Sequence, residues 1–187
     1  MNKLNLAFRE TLIILFPGYL FAVFLIETLK GVIDIKDYSD GFGTEFILAI
    51  LFGSILYSLN IAKKNSWFKN SLPINIAQKE LNIPIKVSEY FKFYDSDSVS
   101  EEFKAKENIY TSLYHMFFNS SIFLIISILI TIILNCANGV GIIDHHILIQ
   151  IILLIVCLIN TYLIFNNKVK TSFVSAAEQF IDHLKPQ

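Results

Sequence analysis

Few side chains in this sequence could bind a metal or move a proton from within an apolar setting. Asp144-His145-His146 is its one histidine-rich cluster. Two adjacent histidines point apart on a helix, so they need further ligands, and those would have to come from Asp34, Asp37 and Asp40. That acidic segment has neither the spacing nor the closing glutamate of a calcium loop, and it reads as a solvated turn with Gly31, Gly41 and Gly43. No metal and no cofactor are therefore expected. A P-loop, CxxC, HExxH, a Ser-His-Asp grouping and paired intramembrane acids are all missing from the pattern, so catalysis is not expected either.

The remaining candidates sit in or beside long apolar runs. Asn60, Asn135, Gln150 and Asn160 are amides there. Such groups tie helices together, and in a water-filled path they line it. Glu27 has two positions according to where the first run begins. If that run is about Leu12–Leu29, Glu27 stands at the outer headgroups. If Leu4–Phe16 lies along the interface and Pro17 opens the run, Glu27 falls nearer the hydrocarbon centre and needs a partner or a water-lined cavity. Pro17-Gly18 form a hinge, because the proline removes the bond to the carbonyl of Ile13 and kinks the helix.

The elements that carry these residues announce a membrane protein. The chain has 187 residues, of which 54% are hydrophobic, with a net charge of −1. Its mean hydropathy is +0.56. The apolar residues come in blocks long enough to cover the roughly 30 Å of a bilayer interior. The predicted fold is all-α and polytopic, with four transmembrane helices at Leu12–Leu29, Glu45–Ala62, Phe117–Asn135 and Ile147–Phe165. Residues 1–62 form a first helical hairpin, 63–116 a helical cytoplasmic insert, 117–166 a second hairpin and 167–187 an amphipathic tail. Gly53-Ser54 offer a small face for close helix approach.

Within the insert, Ser71-x-Pro73 starts a helix that continues through Ile74–Leu81 and stops at Pro84. A second short helix is predicted over Val87–Tyr94. Ser98-x-x-Glu101 reads as a capping box opening a third, which runs without a breaker into the Phe117–Asn135 span. In the tail, Phe173, Ala177, Phe180, Ile181 and Leu184 share one face and are expected to dock on the insert or a neighbouring subunit. Candidate ligand or partner contacts are Trp67, Lys69, Lys92, Tyr94 and His115. The lysines interleaved with aromatics suit a nucleotide or oligonucleotide. Seven acids against eight lysines in the insert cancel the field such a ligand would need, and a small aromatic core is the competing reading.

Lysine and arginine placement orients the chain. Two precede the first span, eight lie in the insert and three follow the last span, whereas the two opposite loops hold only Lys30 and Lys36. The positive-inside rule then puts both termini and the insert in the cytoplasm. The scarcity of arginine beside abundant Lys, Ile, Asn and Phe resembles AT-rich bacterial coding, so a bacterial inner membrane is the expected location. Cys136 and Cys157 lie at or in spans and are read as inert thiols. No cleavable signal is expected, since the first run has no small-x-small site.

In size, topology and its bias toward Lys, Ile, Asn and Phe, the whole chain resembles small four-span membrane proteins of bacterial anti-phage systems such as Kiwa and Hailong. The resemblance implies a membrane component acting with a cytosolic partner protein. The expected function is a homo-oligomeric channel or membrane-perturbing effector, with a tetramer as the working assembly, gated through the insert. The alternative is a non-conducting anchor that recruits a soluble partner. An enzyme or transporter acting on lipid or a small solute ranks last, because the span interiors lack the charged groups such chemistry generally uses.

Overall fold

The computed structural model describes residues 11–32, 46–55, 78–82, 84–96, 98–139 and 145–184, and all regular structure among them is helical. A π-helical turn at Thr11–Leu15 leads into α1 (Phe16–Val32). A shorter apolar helix, α2, spans Phe46–Ile55. Next come α3 (Val87–Asp95), α4 (Glu101–Ala137) and α5 (His145–Ile164). A second π-helical stretch, Phe165–Val169, carries α5 straight into α6 (Lys170–Leu184). Three of these helical runs are long and apolar enough to cross a membrane: Ile13–Lys30, Glu101–Ala137 and His145–Leu184.

The chain divides into two compact units. The first comprises Met1–Ser58 and His115–Thr161. Its first helix departs from regular geometry just before Pro17. The proline has no N–H for the carbonyl of Ile13, and the chain answers with the wide turn at Thr11–Leu15. Asn119 Nδ2 of α4 approaches that freed carbonyl at a long 3.5 Å. Glycine sets the pairing of α1 with α2. A Cβ at Gly18 would stand 2.0 Å from the carbonyl oxygen of Ala49, and one at Gly53 would stand 2.1 Å from that of Ile14. The two backbones therefore touch, as the small face at Gly53 predicts, and Gly18 has a packing duty beside its place next to the proline. Phe21 fills the space beyond, edge-on to Phe52 and stacked on Phe123, each at 4.8 Å between centroids.

The second unit comprises Leu59–Tyr114 and Tyr162–Gln187. Its core joins Ile85, Tyr90, Phe93 and Val99 to Ala176, Ala177 and Phe180, with Leu81, Tyr94 and Phe103 at the margin. The tail helix thus docks on the insert of its own chain. Phe180 meets Tyr90 edge-on at 5.9 Å and Phe93 at 5.6 Å, and Lys170 pairs with Glu80 at 2.7 Å. The tail face differs from the predicted one in two places: Ala176, in mid-helix, is also buried, and Leu184, at the end, is exposed. Helical residues 78–81 end at Asn82, whose φ of 53° is the left-handed turn that asparagine tolerates. The predicted start of that helix at Ser71-x-Pro73 lies outside the described residues.

The cap of α4 falls two residues later than the sequence suggests. Ser100 Oγ, not Ser98, accepts the N–H of Phe103 at 3.2 Å. Val99 is buried in the core beside Phe103, which puts the next residue, Ser100, at the helix entrance. From there α4 runs 37 residues unbroken, as predicted.

The glycine contact yields a direct test. Replacing Gly53 by valine should destabilise the protein in detergent by at least the 1–3 kcal/mol of an overpacked contact, because the added carbons meet backbone. Ser54→Ala, one residue along, should change thermal unfolding little.

Candidate functional site: the buried polar face of α4

The membrane-length part of α4 is apolar outside and buries small polar side chains beside Met116, Phe123 and Leu124. Asn119, Ser120, Ser121, Ser127, Thr131 and Asn135 are buried there, and Ser112 is buried in the part of α4 that belongs to the second unit. Ile125, Ile126, Leu129 and Ile133 are exposed, Ile133 at 65% against 2% for Ser127 and for Thr131. In α5, Leu148, Ile152, Ile155 and Ile159 face out, and Gln150, 0% exposed, is buried with Ile147 and Cys157. A helix in water reverses that arrangement. Between Asn108 and Ala137, and throughout α5, there is no acidic residue, lysine or arginine, so the buried face is neutral as well as polar.

Most of these groups bond to their own helix. Ser112, Ser120 and Ser121 donate to the carbonyls four residues back, at 2.6–2.9 Å. Thr131 Oγ1 also lies 2.9 Å from the carbonyl of Ser127, and Thr28 Oγ1 of α1 lies 2.8 Å from that of Phe24. The two threonine hydroxyls face each other at 3.0 Å. Three contacts thus share two hydrogens, since a hydroxyl donates once. One threonine gives its proton to the other, and the α1–α4 contact has two nearly equivalent arrangements. Ser127 Oγ, Gln150 Nε2 and Gln150 Oε1 are buried and have no hydrogen-bond partner among the described residues.

The sequence-predicted residues are not gathered into one place. Gln150 and Asn135 are buried in the first unit. Asn160 donates back to the carbonyl of Val156 at 2.8 Å. Glu27 is exposed in the C-terminal part of α1 and pairs with Lys30 at 3.1 Å. Pro17 is fully buried. His115 is half-buried in α4 and Lys92 is exposed on α3. The rings of His145 and His146 do not point apart as expected but lie 4.0 Å from each other, tilted by 39°, and no group of three or more metal-ligating side chains occurs among the described residues. Asn60, Trp67 and Lys69 lie outside the described residues. Sequence reasoning missed Asn119 and the two-threonine contact. The signal was there in the recurrence of small polar residues at 112, 119, 120, 127, 131 and 135, an adjacent pair at 119 and 120 with steps of four and seven between the others, which keep one helical face.

In the second unit the insert's aromatics serve a core. Tyr90 and Phe93 are buried, which withdraws them from stacking on bases. Tyr94 donates its phenol proton to Glu107 Oε2. Burial pushes the Glu107 carboxyl above the ordinary carboxylate range, with the Tyr94 bond pulling the other way. Burial, and then the charge of Glu107, hold the Tyr90 phenol far above its usual range. Around the rim, Lys104 and Lys106 pair with Glu101 and Glu102 at 3.0 and 2.6 Å, exposed contacts of small energetic weight.

Comparison with protein-family models, curated proteins and solved structures finds no match.

Glu107 gives this unit a pH dependence of defined sign. Its folded pKa is raised, so its contribution is fully present below the ordinary carboxylate range and is lost as pH rises through the folded value. Amide exchange in α3 and α6 should quicken over that window, and Glu107→Gln should flatten the trend. Tyr94→Phe should cost about 1–3 kcal/mol at neutral pH, where it leaves a buried carboxylate short of a donor.

Proposed function

We propose that the chain is a four-span protein of a bacterial inner membrane that works as a homo-oligomeric channel or membrane-perturbing effector controlled from its cytoplasmic side. The observation that carries this proposal is the buried, neutral polar face of α4, met by Thr28 and sharing its unit with Gln150. An anchor has no need of so many polar groups at membrane depth. Leucines would pack there without the cost of desolvating hydroxyls and amides. A neutral polar interior lowers the barrier to water and small solutes and leaves no fixed charge to trap an ion.

The fourth span is the segment containing α2, whose described residues cover ten positions. The outward faces of α2 fit lipid: Phe46, Ile47, Ile50, Leu51 and Ile55 are exposed, and Ala49 and Gly53 face α1. Lysine placement supports cytoplasmic termini and insert. Control from the cytoplasm is supported by α4, one helix that belongs to the core-bearing unit at its start and to the membrane unit beyond His115. The resemblance to anti-phage membrane components supplies the setting, defence against phage with a cytosolic partner.

A second function has its own observation. The outward faces of α4 and α5 are apolar almost throughout, as lipid contact requires and as a pore between subunits does not. A non-conducting anchor, recruiting a soluble protein through the insert–tail unit, fits that surface.

Reconstitution separates the two. Purified protein in liposomes should release a small entrapped ion or dye, and Thr131→Val should reduce the release several-fold without unfolding the protein. Tight liposomes under all conditions, with a soluble protein copurifying through the insert, would assign the anchor instead.

A further inference from the structure

Gln150 is the most demanding side chain in the first unit. It is fully buried in a span, and both its donor Nε2 and its acceptor Oε1 are without a hydrogen-bond partner among the described residues. Ser127 Oγ, on the polar face of α4, shares that condition. Four residues further along the same face, Thr131 and Thr28 have three contacts to fill with two hydrogens. The two helices' buried polar groups lie within one compact unit.

The unfilled valences constrain what would satisfy them. A cation would satisfy Oε1 and the hydroxyl oxygens but would oppose the Nε2 hydrogens. An anion would accept from Nε2 and repel Oε1. A second copy of the chain does not reach a side chain with no exposed surface. The occupant must donate and accept together, be neutral and be small, and water meets all of these conditions.

We propose that the membrane-embedded unit holds internal water, hydrogen-bonded to Gln150 and Ser127 at membrane depth. This rests on the reading of the polar face as a path and names what first occupies it. Such water would be a resident part of the bundle whether or not solute passes through it.

Water-edited solid-state NMR of the full chain in liposomes tests this directly. The chain has four glutamines, Gln78, Gln150, Gln179 and Gln187, and the Gln150 side-chain amide is identified as the signal lost in Gln150→Met. Magnetisation starting on water should reach that amide in the wild-type protein, although the residue has no exposed surface. The exposed Gln179 serves as the hydrated reference. A Gln150 signal that stays dark while Gln179 saturates, together with a contact from its N–H to a protein carbonyl, would overturn the proposal. Liposomes that release nothing while Gln150 contacts water would reject conduction and leave the internal water established.

Discussion

The constraint behind this structure is that a helix surrounded by lipid must hide its polar side chains against other helices. Helix α4 obeys it in its apolar part, turning Ile125, Leu129 and Ile133 outward and Ser127 and Thr131 inward. The main chain of such a helix is satisfied within itself. The side chains are what need neighbours, and they select them: Thr28 for Thr131, and the proline-freed carbonyl of Ile13 for Asn119. Proline and amide thus act as complementary defects, one releasing an acceptor and the other presenting a donor.

Close approach makes that selection possible. With Gly18 against Ala49 and Gly53 against Ile14, α1 and α2 touch through their backbones, and packing at this distance is a main source of helix association where no hydrophobic force operates. The second unit is held by different physics. Its core is aromatic, built from Tyr90, Phe93 and Phe180, and its charges are paired on the surface or, at Glu107, buried against a phenol. One chain therefore carries two kinds of interior: in the lipid-length unit serine, threonine and amide side chains are buried among apolar ones such as Phe21, Phe123 and Leu124, and in the unit formed by insert and tail the core is apolar.

Much of this was legible in the sequence. The apolar runs gave the long helices, Val87–Tyr94 appeared as a helix one residue longer, and α4 passed unbroken from insert to span. The small face at Gly53 was readable because glycine beside serine in an apolar run has few other uses. The cap of α4 was misplaced because Ser98 and Ser100 both suit a helix entrance, and only the burial of Val99 decides between them. The candidate site was less legible. Amides stand out singly in a sequence, so Gln150, Asn135 and Asn160 attracted notice, but Asn160 simply bonds to its own helix. Serine and threonine are unremarkable in type, and their meaning lies in which face they share and what crosses it. The pairing of Thr28 with Thr131 joins residues 103 positions apart, a relation that no local pattern contains.

The inverted polarity of α4 can be measured by spin labels placed singly at 127, 129, 131 and 133 in protein reconstituted in liposomes, with Cys136 and Cys157 replaced by serine. Collisions with oxygen, which concentrates in lipid, should be frequent at 129 and 133 and rare at 127 and 131, and a water-soluble nickel reagent should reach neither of the outward sites. A nickel reagent that relaxes labels at 129 and 133 as readily as one at the exposed Lys92 would place that face in water and contradict the account.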